Sequence, residues 1–108
     1  MTAALIQMLL PTAIANGNAT AALAETRREL ADTFNGVTAY LRSPAKGLWT
    51  APDGRVEADD VVIVEVVTPA FDRQWWRSYA AKLAQRFGQE TIHIRAVPVD
   101  LLDDAPRT

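Results

Sequence analysis

Three side chains that could together support proton transfer on a substrate, Glu65, His93 and Arg95, fall in two short segments of this sequence. His93 is the single histidine of the 108-residue chain, and histidine is the residue whose ordinary pKa lies nearest neutrality. Glu65 interrupts the β-branched run VVIVEVV, where an isolated carboxylate would be costly unless it were paired or protonated. Arg95 follows His93 by two residues, so the two share one side of a strand. In an apolar cavity, Glu65 or His93 could act as a base on a small organic substrate while Arg95 stabilises an oxyanion.

Other kinds of catalytic and metal site find little support. The chain has no cysteine, which excludes a thiol nucleophile, a disulfide and a thiolate metal site. One acidic stretch contains Asp53, Glu57, Asp59 and Asp60. These residues lack the spacing of an EF-hand loop, so a charged, solvated loop is the favoured interpretation. We therefore expect neither a metal nor a cofactor.

The charge and hydropathy patterns limit the partners that the protein can have. The formal net charge is -2 and the basic residues are scattered, which argues against nucleic acid because phosphate binding needs clustered Lys and Arg. No stretch is long and apolar enough to span a membrane. The N-terminal run lacks a positive segment and is interrupted by Gln7 and Pro11, so it is not typical of a signal peptide. These features predict a cytoplasmic protein.

The hydrophobic periodicity predicts six secondary-structure elements. They are strand β1 at Ala4–Leu10, helix α1 at Ala19–Phe34, strand β2 at Val37–Arg42, strand β3 at Val61–Val67, helix α2 from Thr68-Pro69 or Asp72 to Phe87, and strand β4 at Thr91–Val97. This order predicts an α+β, ferredoxin-like sandwich, with an antiparallel sheet in the order 4-1-3-2 and both helices on one face. We expect residues 1–108 to form a single domain, with 100–108 a frayed tail.

Both helices show an apolar stripe at the helical period. In α2 the stripe consists of Trp76, Tyr79, Ala80, Leu83 and Phe87. Trp76 is therefore predicted to lie in the core. Trp75, about 100° away around the helix, is predicted to lie on the flank of the stripe, as a partly exposed cover over a sheet edge or a contact with the neighbouring subunit. In α1 the stripe consists of Leu23, Leu30 and Phe34. The charged residues Glu25, Arg28, Glu29 and Asp32 are predicted to lie on the opposite side of α1.

The stretch GLWTAPDGRVEADD between β2 and β3 predicts an extended hairpin. Pro52-Asp53-Gly54 has the residue types of a tight turn, in which proline fixes the entering φ and glycine takes the left-handed exit. Leu48–Thr50 and Arg55–Glu57 would then pair as its two arms. Trp49 is expected to cap the sheet edge or to reach another subunit.

Alternation along the strands divides the sheet into two faces. The first face is wholly apolar and is predicted to lie under the helices: Ile6, Met8, Leu10, Val37, Ala39, Leu41, Val62, Val64, Val66, Ile92, Ile94 and Ala96. The second face is mixed: Leu5, Gln7, Leu9, Thr38, Tyr40, Arg42, Val61, Ile63, Glu65, Val67, His93, Arg95 and Val97. Its apolar members would form a larger exposed patch than most monomers show. We therefore expect a homodimer in which two such faces pack together around a two-fold axis.

Two functions fit this second face, and the residues leave both open. In the first, the face binds a small organic ligand or substrate at Glu65, His93, Arg95, Gln7, Tyr40, Arg42 and Trp49. Glu65 and His93 would transfer the proton, Arg95 would stabilise an anion, and the other residues would contact the substrate. In the second, the protein is a non-catalytic interaction module whose face is filled by its partner. Glu65 and an arginine then form a structural ion pair, and His93 faces solvent on an edge strand.

Three short motifs resemble those of a family of uncharacterised bacterial proteins known only as a domain of unknown function. The motifs are Gly47-Leu48-Trp49, Asp53-Gly54-Arg55 and Arg86-Phe87-Gly88-Gln89-Glu90, and the resemblance spans residues 30–97. The predicted topology also resembles the dimeric α/β-barrel superfamily, which includes small monooxygenases, isomerases and haem-degrading enzymes that use the sheet face as a pocket. That resemblance implies a homodimer and a cofactor-independent enzyme of isomerase or monooxygenase type. It carries no catalytic residue over to this chain.

Overall fold

The computed structural model describes residues 3–15, 17–34, 38–50, 53 and 56–102, with residues 38–50 and 56–60 described by their backbone alone. Its elements are β1 (Ala3–Pro11), α1 (Ala19–Phe34), β2 (Thr38–Thr50), β3 (Val56–Thr68), α2 (Arg73–Arg86) and β4 (His93–Val99). The predicted α+β class is confirmed. The strands pair antiparallel in the order β2-β3-β1-β4, so β1 and β3 lie in the middle and β2 and β4 at the edges.

The hairpin strands β2 and β3 are longer than the sequence predicted. The prediction ended β2 at Arg42 and began β3 at Val61, because Pro44 and the acidic stretch interrupt the alternating pattern. In the structure the pairing shifts register between Tyr40 and Ala45 and then continues to the end of β2. An edge strand with a bulge can accommodate a proline, since its outer N–H groups need no partner in the sheet.

The predicted hairpin arms are confirmed as far as the structure describes them. Trp49 pairs with Glu57, and the residues on either side of them continue the antiparallel ladder. Asp53 lies in a turn and is exposed. Pro52, Gly54 and Arg55, which the sequence assigns to the turn and its exit, lie outside the described residues.

Strand β4 begins and ends two residues later than predicted. It includes Pro98, which pairs with Ala4 of β1. The sequence prediction stopped before this proline because proline cannot donate to a central ladder. On the edge strand β4 the missing N–H has no structural consequence.

Both helices begin with a side-chain cap. The Asn18 side chain accepts a hydrogen bond from the Ala21 N–H at 3.0 Å, and α1 has the predicted bounds. Asp72 accepts from the Trp75 N–H at 3.1 Å, so α2 begins after Asp72 rather than at Thr68-Pro69. Gly88, with φ of 63°, follows the end of α2, where a left-handed residue is favoured.

The core lies between the helices and the apolar face of the sheet. Its fully buried members with at most 2% exposure are Ile6, Met8, Leu10, Leu30, Val62, Val64, Val66, Leu83 and Phe87. Ile92 and Ile94 are half-buried against this cluster. Ala96, predicted to be covered, is exposed, because the helices do not extend over the last residues of the edge strand β4.

Candidate functional site

The uncovered face of the sheet carries a line of three polar side chains from adjacent strands, Arg95, Gln7 and Glu65, which we call the polar row. Gln7 of β1 lies opposite Glu65 of β3 on one side and opposite Arg95 of β4 on the other. Alternation puts all three on the face away from the helices. The structure therefore brings together three of the residues that the sequence assigned to a site.

Two short hydrogen bonds connect the polar row. The Arg95 Nε–H donates to the Gln7 Oε1 at 2.7 Å, and the Gln7 Nε2 donates to Glu65 Oε2 at 2.7 Å. A carboxamide has both an acceptor oxygen and a donor nitrogen, so Gln7 can join a cation to an anion. The row thus has a positive end on the edge strand β4 and a negative end on the central strand β3.

The exposure of the polar row decreases from its positive to its negative end. Arg95 is exposed, whereas Gln7 and Glu65 are half-buried. Within the described part of the chain, the bond from Nε to Gln7 is the only polar contact that the Arg95 side chain makes. The two terminal nitrogen atoms of its guanidinium are consequently available to a further acceptor.

His93 lies on the same face but one row away. It pairs with Leu9, two residues along β1 from Gln7, and its side chain is exposed. Two strand spacings of about 4.8 Å and two residues of about 3.4 Å put its Cα about 12 Å from that of Glu65. At that separation, His93 and Glu65 can act on one ligand only if the ligand bridges them.

Three predicted site residues come from β2, whose side chains are not described. The backbone of Tyr40 pairs with Ile63, one row from Glu65, and Trp49 pairs with Glu57 farther along the hairpin. Arg42 lies within the register shift between Tyr40 and Ala45. The contacts expected of these three side chains lie outside the described residues.

Apolar side chains flank the polar row on both sides. Leu5 pairs with Val67 and with Val97 in one neighbouring row, and Leu9 pairs with Ile63 in the other. Four of these residues are half-buried, and Val97 is 41% exposed. The face is therefore a strip of polar side chains between two borders, one formed by Leu5, Val67 and Val97 and the other by Leu9 and Ile63 with His93 at its outer end.

The site lacks an evident metal-binding group. Within the described ranges, no three side chains of His, Cys, Asp or Glu are grouped closely enough to hold one ion. The residues of the polar row supply one carboxylate, one amide and one guanidinium, and a guanidinium does not coordinate metals. The chemistry available in this row is anion binding and hydrogen bonding.

A second charged cluster, which sequence reasoning missed, lies between the two helices. Arg86 donates from both terminal nitrogens to the Glu29 carboxylate, at 2.8 and 3.0 Å. Lys82 and the Tyr79 hydroxyl also donate to Glu29, each at 2.9 Å. The prediction that Glu29 faces away from the packed side of α1 is wrong, because α2 packs alongside α1 and covers this carboxylate in part.

The cluster shifts the pKa values of its members in the directions that its hydrogen bonds require. The hydrogen bonds from Arg86 lower the pKa of Glu29 to about 2. Burial, together with the bond to Glu29, raises the pKa of Tyr79. Glu29 in turn raises the pKa of Arg86. Glu29 thus stays ionised through the physiological range, which suits a structural ion pair and not a proton-transfer group.

The tryptophans of α2 form an aromatic cluster with α1. Trp76 is 4% exposed and stacks on Phe34 with ring centroids 5.1 Å apart. Trp75 is half-buried, meets Phe34 edge-on at 5.1 Å and stacks on Tyr79 at 5.0 Å. The predicted core position of Trp76 and flanking position of Trp75 are confirmed. Both rings serve to join the helices.

A pocket of about 290 Å³ lies on the helix side of the sheet, at the end of β4. It is lined by Ala3, Ala4, Phe71, Arg73, Ala96 and Pro98. The Arg73 guanidinium lies over the Phe71 ring, 5.6 Å from its centroid. Among the predicted site residues whose side chains are described, none lines this pocket, so the pocket is separate from the polar row.

Comparisons with known proteins show a fold likeness alone. No family model and no curated protein matches the chain. The fold is similar to that in the crystal structure of a Bacillus cereus protein related to NIF3, with a TM-score of 0.62 over 93% of this chain at 16% sequence identity. The match covers 26% of that longer protein. The chain therefore shares its α+β fold with about a quarter of a larger protein.

Neither described helix is long and apolar enough to cross a membrane.

Proposed function

We propose that the protein is a ferredoxin-like, homodimeric interaction module, and that the uncovered sheet face of each subunit packs against that of its partner. Three features support the ferredoxin-like topology: the strand order, the contribution of both helices to one core, and the likeness to part of a larger protein. A fold that recurs within a longer chain is well suited to act as a module.

The observation that carries the proposal is the composition of the uncovered face. Leu5, Leu9, Ile63, Val67 and Val97 surround the polar row and leave apolar area open to water in a single chain. Covering apolar area stabilises association by about 25 cal/mol per Å² before the costs of association. The internal hydrogen bonds of the polar row lower the cost of removing Gln7 and Glu65 from water.

The test is the mass of the protein in solution before and after a charge is placed on this face. We expect analytical ultracentrifugation to give twice the chain mass of 11.8 kDa for the natural protein. Ile63→Glu should give a folded monomer, because an unpaired carboxylate would be buried at the interface. Ala81→Glu adds the same charge at an exposed position of α2 and should remain dimeric.

The circular dichroism spectrum of each variant would establish that it is folded. A natural protein that is monomeric at micromolar concentration, or a dimer that survives Ile63→Glu unchanged, would overturn the proposal.

A second candidate function is the binding of a small organic acid on the same face. The observation that favours it is the exposed Arg95 guanidinium, whose terminal nitrogens could bind a carboxylate in a bidentate manner. A cofactor-independent enzyme of isomerase or monooxygenase type would additionally use Glu65 and His93, and their separation of about 12 Å requires a substrate that spans two rows.

Thermal-shift measurements with benzoate, and with benzyl alcohol as the uncharged control, would distinguish the two functions. A benzoate-specific rise in Tm that is lost in Arg95→Gln would favour the ligand site. Equal responses to both compounds would count against it.

A further inference from the structure

The charges of the polar row define how two such faces would fit together, provided that the proposed homodimer exists. We infer that the two-fold axis runs along the strand direction above Gln7, so that Arg95 of each subunit pairs with the partner subunit's Glu65. The inference assigns an intermolecular role to two residues that lie on different strands of one chain.

The geometric basis is the position of the two charges on either side of Gln7. Arg95 and Glu65 each lie one strand away from Gln7, on opposite sides. With a strand spacing of about 4.8 Å, their Cα atoms lie about 10 Å apart across the sheet. The row is therefore a short line with a positive end, a neutral centre and a negative end.

Face-to-face packing allows a limited choice of two-fold axes, all lying in the plane between the sheets. An axis parallel to the strands reverses the row, so each positive end meets a negative end. An axis parallel to the row puts Arg95 over the partner subunit's Arg95 and Glu65 over the partner subunit's Glu65. An axis halfway between the two gives orthogonal sheets, in which the rows cross only at Gln7. Like charges in contact cost several kcal/mol, which favours the first arrangement.

The apolar borders of the face agree with the first arrangement. An axis along the strands keeps each row at its own level, so Leu5 packs on the partner subunit's Leu5. Val97 then lies over the partner subunit's Val67, both of which are apolar. The other parallel arrangement would put Val97 over the partner subunit's exposed His93. The first arrangement likewise puts His93 over the partner subunit's Ile63, so both arrangements place His93 against an apolar side chain, and the charges alone select the axis.

The side chains of the row retain the hydrogen-bonding capacity that this pairing needs. Arg95 uses Nε for Gln7 and makes no other polar contact in the described part of the chain. Glu65 accepts the Gln7 bond on Oε2 and has a further interaction within the chain; a carboxylate offers about four acceptor positions, so these do not exhaust it. Gln7 therefore holds both charged groups in position for a second subunit. The resulting contacts would be charge-assisted, with two in each dimer.

Charge reversal tests this arrangement with two single variants, their mixture and their combination. Arg95→Glu and Glu65→Arg should each raise the dimer dissociation constant by about a hundredfold, because each places two like-charged pairs in the interface. Mixing the two variants should produce a heterodimer, since each contact then pairs a glutamate with an arginine. The double variant carrying both reversals should dimerise like the natural protein. Sedimentation velocity measures the extent of dimerisation in all four cases.

Matched controls reverse exposed charges away from the face. Arg77→Glu and Glu90→Arg change the charge by the same amounts at exposed positions and should leave the dissociation constant within about twofold. If Glu65→Arg fails to fold, Glu65→Gln replaces it and should weaken the dimer less than Arg95→Glu does.

The outcomes separate this inference from the proposal on which it rests. Loss of the dimer in Ile63→Glu, together with unchanged dimers in both charge reversals, would overturn the strand-parallel axis and leave the proposed homodimer standing. A monomeric natural protein would overturn both. A mass of three chains would overturn the two-fold arrangement.

Discussion

Among the described side chains, two networks link a glutamate to an arginine, and they differ in how many of their donors the chain itself satisfies. In the helix cluster, Arg86 uses both terminal nitrogens on Glu29, and its side chain is 11% exposed. In the polar row, Arg95 is exposed and reaches Glu65 only through Gln7. The first network is complete within one chain, whereas in the second the terminal nitrogens of Arg95 have no acceptor among the described residues.

This difference indicates what each network does. Glu29 and Arg86 come from the two helices and connect them across 57 residues of sequence, so their contribution is to the tertiary structure. The polar row lies on a sheet that already has its backbone pairing and its core, so we expect its hydrogen bonds to add little to the fold. A network that contributes little to folding and carries unused donors is a better candidate for an interface.

The largest expected effect on stability comes from breaking the helix cluster. Arg86→Ala removes the two bonds to Glu29 and the 2.9 Å bond to the buried Thr26 hydroxyl, so the partly buried Glu29 keeps fewer donors. We expect the free energy of unfolding to fall by about 2–3 kcal/mol. Urea denaturation measures this free energy. The control is Arg77→Ala, at an exposed arginine of the same helix, which should change the free energy of unfolding by less than about 0.5 kcal/mol. Equal effects of the two substitutions would show that the cluster has no special role.

A smaller effect should appear in the free energy of unfolding when it is measured at acidic pH. The pKa of Glu29 is lowered to about 2 in the folded chain from 4.5. A lowered pKa stabilises the fold above the unfolded value, and this stability is lost as the pH falls from 4.5 through 2. Glu29→Gln should be less stable than the natural protein at pH 7 by about 1–2 kcal/mol, after allowance for screening by solvent.

The pH dependence distinguishes this charge effect from a loss of packing. The difference between Glu29→Gln and the natural protein should shrink as the pH falls from 4.5 through 2, because Glu29 becomes protonated first in the unfolded state and then, through its pKa of about 2, in the folded state. Urea denaturation at several pH values measures the free energy of unfolding of both proteins and so their difference. A difference that stays constant with pH would mean that the ionisation of Glu29 is not what stabilises the fold. The same experiment on Glu65→Gln provides the comparison with the polar row.

The sequence predicted the polar row better than it predicted the helix cluster, for a physical reason. Alternation along a strand is a property of the strand itself, so Gln7, Glu65 and Arg95 could be placed on one face without knowing their contacts. Their order across the face then followed from the predicted neighbours of β1. The placement of Glu29 depended on how α2 packs beside α1, and the periodicity of α1 alone carries no information about its neighbour.

The same distinction explains the errors in the bounds of the strands and the separation between His93 and Glu65. Pro44 interrupts the alternating pattern of β2, and only the position of β2 at the edge of the sheet allows the strand to continue past it. His93 was correctly placed on the uncovered face by alternation. Its distance from Glu65, however, depends on the register between β4 and β1, which alternation leaves open by steps of two residues.

The smallest expected effect on stability comes from substituting Gln7. This substitution tests directly whether the polar row contributes less to the fold than the helix cluster does. Gln7→Leu keeps the size of the side chain and removes both bonds of the polar row. In the monomeric Ile63→Glu background, where association cannot contribute, we expect the free energy of unfolding to change by about 0.5–1 kcal/mol in urea denaturation. In the otherwise natural chain the same substitution should weaken the dimer, because Arg95 and Glu65 lose the group that orients them. A loss in the monomer as large as that of Arg86→Ala would mean that the polar row supports the fold in the way the helix cluster does, and the contrast between the two networks would fail.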